Sequence, residues 1–194
     1  MKTVGVILAG GRSSRMGTDK ALVEIHGVSL LDRAIGRLSP QVDALAINSN
    51  VSIADRPLPI LPDATAAFDG PLAGVLASLK WATSLGANHL ATVAVDTPFF
   101  PLDLVRRLAE IETSGIALAR SGGRSHPVFA LWPVVVLDPL EAFLEKAETR
   151  RVMTFLKSYG YESVDFLEKP FDPFFNINTP QDLMAAVEME TSLS

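Results

Sequence analysis

A strand-like run, Thr3 to Ala9, leads directly into Gly10-Gly11-Arg12-Ser13-Ser14-Arg15-Met16-Gly17-Thr18-Asp19-Lys20. Where a buried strand breaks into glycines, bare backbone N–H groups are delivered to the carboxyl edge of the sheet, and with two arginines and a lysine alongside they suit a polyphosphate. Gly10, Gly11 and Gly17 let the backbone approach a ligand where a Cβ would collide. Arg12 and Arg15 can fork onto phosphate oxygens, and Lys20 supplies a point charge. The run lacks the Gly-Lys-[Ser/Thr] ending of a Walker loop and the Gly-x-Gly-x-x-Gly of dinucleotide folds. The plainer alternative is a Gly-rich turn with solvated basic residues.

Other polar residues stand where apolar runs stop. Asp96 ends a uniformly apolar strand and is followed by Thr97-Pro98, which suits a carboxylate held at the sheet edge for a hard cation such as Mg2+, or else a turn. Asn48 and Asp63 also follow strand-like runs, and both residue types are turn formers. With Gly10 and Asp96, they are expected to converge on one crevice outside the carboxyl ends of the strands. Gly70 to Gly74 reads as a helix entry poor in side chains, able to flank a flat base with backbone groups. Asn176 and Asn178 alternate along an extended segment and point to the same side, as site residues or as Asx-turn residues. His126 precedes Pro127 in an extended setting, and neither a hydrolase triad nor a Gly-x-Ser-x-Gly motif accompanies it. Arg150-Arg151 reads as a solvated pair at a helix start or as an anion contact.

The elements that must position these residues alternate between strand and helix, the pattern of a largely parallel sheet covered on both faces. Strands are expected over 3–9, 44–48, 58–61, 89–95, 116–120, 127–132 and 163–167, with Gly122-Gly123 as the turn of an antiparallel excursion. Helices are expected over 29–38, from Gly70-Pro71 through Leu85, from about Pro101 to Thr113, over 134–146 and 151–158, and over 181–190 behind the Thr179-Pro180 cap.

A chain of 194 residues accommodates one α/β domain with a full core, and 48% hydrophobic with 20% charged residues is an ordinary globular composition. A net charge of -5 argues against a nucleic-acid scaffold, whereas a small phosphorylated ligand needs only local cations. With no cysteine, disulfides, thiolate nucleophiles and Cys-ligated metals are excluded, so a metal must sit on oxygen or imidazole. No signal-peptide pattern or membrane-length apolar run is present, so the cytoplasm is the expected location, with no membrane partner.

Leu8-Ala9-Gly10-Gly11, then Arg15-Met16-Gly17-x-Asp19-Lys20, resembles the signature of nucleotidyltransferases, and most closely that of the molybdenum cofactor guanylyltransferases, the bacterial MobA family. Asp63 with Gly70-Pro71-Leu72-Ala73-Gly74, Asp96-Thr97-Pro98, His126-Pro127 and Asn176-Ile177-Asn178-Thr179-Pro180 continue the resemblance in order along the chain. It implies a single three-layer α/β domain of the nucleotide-diphospho-sugar transferase type, with a mostly parallel Rossmann-like sheet flanked by helices. Residues 1 to about 100 would form the nucleotide half and about 101–194 the acceptor half.

The resemblance further implies transfer of GMP from GTP to the terminal phosphate of the molybdopterin-bound cofactor, with pyrophosphate leaving. Arg15, Lys20 and Asp96 would be catalytic, and Asp96 would hold Mg2+. Leu8, Ala9, Gly10, Gly11, Lys20, Asn48, Asp63, Gly70, Gly74 and Asp96 would line the nucleotide site. Arg124, His126, Arg150, Arg151, Asn176 and Asn178 would face the acceptor, with one of the two asparagines in reach of the metal. Transient contacts with proteins that deliver the pterin or receive the product belong to the same picture. A cytidylyltransferase acting on the same pterin, or another small-molecule nucleotidyltransferase, is the rival, although Leu-Ala-Gly-Gly at Leu8 to Gly11 resembles the guanylyl enzymes.

Overall fold

The computed structural model describes residues 1–10, 20–53, 56–64, 70–111, 113–146 and 151–192. In chain order the strands are β1 (Thr3–Leu8), β2 (Glu24–Ile25), β3 (Val28–Ser29), β4 (Ala44–Asn48), β5 (Ile60–Leu61), β6 (His89–Ala94), β7 (Ile116–Ser121), β8 (Arg124–Pro133) and β9 (Tyr161–Phe166). The helices are α1 (Leu30–Leu38), α2 (Pro71–Ser84), α3 (Leu104–Ala109), α4 (Leu137–Lys146), α5 (Val152–Tyr159) and α6 (Pro180–Thr191).

Seven strands form one sheet in the order β5-β4-β1-β6-β8-β7-β9, in which β8 alone runs against its neighbours. β1 lies at the centre of the parallel part, and all six of its residues are buried, which is why its sequence is apolar without alternation. Val4, Val6 and Leu8 pack into one core with Leu72, Leu76 and Trp132, while Ile7 joins the opposite core with Leu31, Leu38, Phe100 and Phe129. This sheet between two helical layers is the expected single three-layer α/β domain.

Local chemistry accounts for the element ends. Ser29 caps α1 by accepting the Asp32 N–H, and Thr179 with Asp182 forms a reciprocal capping box on α6. Gly122 and Gly123, with φ of 51° and 78°, make the two-residue turn between β7 and β8 that the sequence anticipates.

Three expectations need correction, and one element was not expected. β5 is shorter than 58–61, because Pro59 has no N–H for the ladder and contributes only its carbonyl, to Ile47 N–H. α3 starts at Leu104 instead of Pro101 and ends at Ala109: residues 101–104 close a separate turn, and Gln41 Oε1 takes the Val105 N–H at 2.9 Å from outside. Residues 134–136 form a 3-10 turn, and α4 begins so that Pro139 falls in its first turn. The β2–β3 hairpin, turning through His26 and Gly27 with φ of 49° and 77°, went unanticipated.

Candidate active site

β1, β4 and β6 end side by side, and their carboxyl ends carry two groups of the expected residues. Ala9 N–H bonds Asn48 O at 2.9 Å, and Val95 N–H bonds Leu8 O at 3.2 Å, so the chain leaving β1 is held between its neighbours. Asn48 is buried, and its Nδ2 donates to Leu61 O and to Asp63 Oδ1, each at 3.0 Å. Asn50, which the sequence reading did not single out, donates to Asp63 Oδ2 at 2.7 Å and accepts the Asp63 N–H at 2.8 Å.

Asn48 Oδ1 faces the first turn of α2 so closely that a Cβ on Gly74 would sit 2.2 Å from it. A side chain at 74 would therefore have to displace the Asn48 carboxamide from its hydrogen bonds. A Cβ on Gly10 would stand 3.4 Å from the same oxygen, an ordinary contact, so nothing in this geometry demands glycine there. Gly70, at φ 105°, caps α2 in a conformation that side chains disfavour.

The second group surrounds the end of β6. Lys20 lies in a 3-10 turn, and its Nζ meets Asp96 Oδ2 at 3.1 Å and Asn178 Oδ1 at 2.5 Å. Asn176 Oδ1 accepts the Thr97 hydroxyl at 2.6 Å, and Ile177 N–H donates to Asp96 O at 2.8 Å. Ile177 is buried while Asn176 and Asn178 both reach the sheet edge, as their alternation predicts. Asp182 fixes the Asn178 end by accepting the N–H groups of Asn178 and Thr179 at 2.9 and 2.8 Å. The Asn178 N–H bond is the leading cause that holds the Asp182 carboxyl below its ordinary pKa, with Lys20 acting in the same direction. Arg37 donates to Phe99 O and Phe100 O at 3.2 and 2.6 Å, which ties the segment after Asp96 to α1.

The oxygen donors at this edge fit a hard divalent cation. Among the described residues no three His, Cys, Asp or Glu side chains cluster as a metal cage. Mg2+ needs no such cage, since it is usually held by one or two carboxylates with phosphate oxygens and water. Asp96 supplies one carboxylate, and its Oδ1 has a long 3.4 Å contact with the Thr97 hydroxyl.

Of the residues expected to face the acceptor, Arg124 is exposed at the β7–β8 turn and Arg151 is exposed where α5 begins. His126 is buried, stacks on Phe174 with ring centroids 4.5 Å apart, and places Nε2 2.8 Å from Ser121 Oγ. Gly11, Arg12, Arg15, Gly17 and Arg150 lie outside the described residues.

The profile of the MobA-like NTP transferase domain matches residues 5–162. The molybdenum cofactor guanylyltransferase of Rhizobium leguminosarum bv. trifolii is 48% identical over 190 residues, covering 94% of this chain and 90% of its own length. That of Mesorhizobium japonicum is 42% identical, covering 98% and 97%. Among solved structures, molybdopterin-guanine dinucleotide biosynthesis protein A from Archaeoglobus fulgidus superposes with a TM-score of 0.75 at 22% identity, over 98% of this chain and 99% of that one. 4-Diphosphocytidyl-2C-methyl-D-erythritol synthase from Anaerococcus prevotii reaches a TM-score of 0.76 at 11% identity, over 98% and 96%, so the fold is shared by enzymes named for different nucleotides. With the profile spanning most of the chain and close relatives matching nearly end to end, the chain belongs to the MobA-like NTP transferase family of nucleotidyltransferases.

Proposed function

We propose that this chain transfers GMP from GTP to the terminal phosphate of the molybdenum-bearing molybdopterin, releasing pyrophosphate and forming the guanine dinucleotide cofactor. The observation that carries the mechanism is the meeting of Lys20 and Asp96 at 3.1 Å, 76 residues apart in sequence, at the carboxyl edge beside the end of β1. Each group is the partner the other exchanges when substrate arrives. The Lys20 ammonium stands where a cation would neutralise Asp96, and the Asp96 carboxylate stands where a phosphate oxygen would meet Lys20. Binding a magnesium nucleotide thus replaces one ion pair by two, with little uncompensated charge on the way.

The attacking group is itself a phosphate, with a second pKa of about 6, so it arrives largely ionised and needs no protein base. The protein must instead align two anions that repel one another and offset charge that builds on the α-phosphate and on the departing pyrophosphate. Lys20 does this with its ammonium, Asp96 with one of the two carboxamides, of Asn176 or of Asn178, would hold Mg2+, and Arg15 is proposed to join them. The metal, when bound, supplies charge neutralisation across the phosphates. Asn48, Asp63, Gly70 and Gly74 are proposed to shape the base pocket, with Leu8, Ala9, Gly10 and Gly11 proposed to contact the nucleotide. Arg124, Arg150 and Arg151 are proposed as acceptor contacts.

No described helix is long and apolar enough to cross a membrane. A cytoplasmic reaction, with transient contacts to proteins that deliver the pterin and take up the product, is part of the proposal. The specific rival is cytidylyl transfer, because the neighbours that share this fold include enzymes named for cytidylyl products. The names of the relatives at 42–48% identity favour guanine. Equal GTP and CTP, Mg2+ and molybdenum-loaded pterin should yield mostly the GMP adduct by mass. A pocket that leaves a polar base group unpaired loses about 1–3 kcal/mol, so a preference of at least roughly tenfold is expected. A product carrying mostly CMP would overturn the guanylyl assignment and leave the transfer chemistry standing.

A further inference from the structure

Ser121, at the end of β7, and His126, near the start of β8, meet Asp172 from the segment that follows β9. The Ser121 hydroxyl has one proton, and it goes to Asp172 Oδ1 at 2.8 Å. The 2.8 Å contact between Ser121 Oγ and His126 Nε2 is therefore a bond in which the imidazole donates, which assigns the proton to Nε2. Burial, the largest cause, holds the His126 pKa below the ordinary histidine value, with Arg124 acting in the same direction and Asp172 opposing. Asp172 Oδ1 also accepts the Phe174 N–H at 2.9 Å, and Asp172 O accepts the Phe175 N–H at 3.1 Å. The Phe174 ring, in turn, is seated on His126, Phe129 and Phe166, with centroids 4.5, 5.0 and 5.4 Å away.

Two residues beyond Phe174 lies Asn176, bonded to Thr97; then come Ile177, bonded to the Asp96 carbonyl, and Asn178, bonded to Lys20. From these contacts we infer that Ser121, His126 and Asp172 are positioning residues: their chain of hydrogen bonds sets the register in which residues 174–178 present Asn176 and Asn178 to the Lys20–Asp96 pair. This rests on the reading of Lys20 and Asp96 above. It also gives His126 a task other than touching the acceptor, since its Nε2 is committed to Ser121.

The register can be read without substrate, from hydrogen exchange at the Ile177 amide in Ser121→Ala, Asp172→Ala and Asp172→Asn. Both alanine variants should speed exchange at Ile177 while the buried Ile47 amide in β4, bonded to Pro59 O, stays as in the parent. Asp172→Asn keeps an oxygen that can accept from Ser121 and Phe174 and should restore protection. In turnover, the alanine variants should raise the Mg2+ concentration for half-maximal rate by roughly tenfold and leave KM for GTP nearly unchanged. Ile177 exchange that is unaltered in Ser121→Ala, or that rises only in step with Ile47, overturns the inference. Absence of GMP transfer by the parent protein would instead sink the proposed function, and the exchange result would still decide the positioning role.

Discussion

Asn48 and Asp96 end neighbouring parts of the same sheet edge, yet their surroundings differ in kind. Asn48 is 3% exposed, spends both amide hydrogens on Leu61 and Asp63, and lies against Gly74, where a side chain would displace its carboxamide. The Lys20 and Asp96 side chains remain 18% and 20% exposed and are bonded to groups that a phosphate and a cation can replace. The first region has little freedom and suits recognition of a flat base by shape and hydrogen bonding. The second has exchangeable charge and suits chemistry on phosphates. Changes near Asn48 are expected to act on nucleotide affinity, and changes near Asp96 on turnover.

The comparison breaks most sharply at Lys20. Lys20→Ala removes the cation proposed to face the reacting phosphates and should lower kcat by roughly 10²–10³, the scale for losing one electrostatic contact to developing charge. Because the pair is partly exposed, the protein should stay folded, as circular dichroism would verify. Parent-like turnover in the folded variant would remove Lys20 from the mechanism.

Gly74→Ala is the matching probe of the other region. The new methyl would overlap Asn48 Oδ1, forcing the carboxamide from its place, so KM for GTP should rise about tenfold with a smaller effect on kcat. An unchanged KM would separate Asn48 from the nucleotide.

Arg151→Ala sharpens the division between nucleotide and acceptor. An exposed charge contributes about 1 kcal/mol at most, so pterin affinity should fall no more than roughly fivefold while GTP affinity holds. Equal loss of both, measured by titration calorimetry, would signal a folding defect.

The smallest effect is expected at Asp182, which orients Asn178 through the capping box. Its folded pKa lies below the ordinary carboxylate value, so it stabilises the fold at pH above that ordinary value. The contribution is lost as pH falls through the lowered pKa. Asp182→Asn should therefore flatten the acid limb of the curve of unfolding free energy against pH and lower its neutral plateau by about 1 kcal/mol or less. A parallel downward shift at every pH would assign Asp182 no linked proton.

What could be read from the sequence was what is encoded locally. The largely apolar runs at Thr3 to Leu8, Ala44 to Asn48 and His89 to Ala94 announce buried parallel strands, and Thr179-Pro180 announces α6. The β2–β3 hairpin escaped because strands of two residues have no period to detect, and its His-Gly turn is a weak signal. The truncation of α3 depends on Gln41, 64 residues away from the Val105 N–H it caps.

The site divides in the same way. Asp96, Asn48 and Asp63 are legible as polar residues at strand ends and Lys20 as the lysine closing the glycine-rich loop, and the fold brings them to one edge. Asn176 and Asn178 are legible as site residues, but not their pairings: Asn178 lies 158 residues from Lys20, and Thr97 meets Asn176 across 79. The Ser121–His126–Asp172 chain likewise exists only once β7, β8 and the segment after β9 are folded together.

The central claim, that Asp96 is the carboxylate through which Mg2+ enters the reaction, is tested most directly by an Mg2+ titration of turnover for the parent and for Asp96→Asn. The substitution keeps the shape of the side chain and removes its charge. Turnover by Asp96→Asn should be abolished or displaced to far higher Mg2+ concentrations, with the fold intact. Superimposable titration curves would contradict the account.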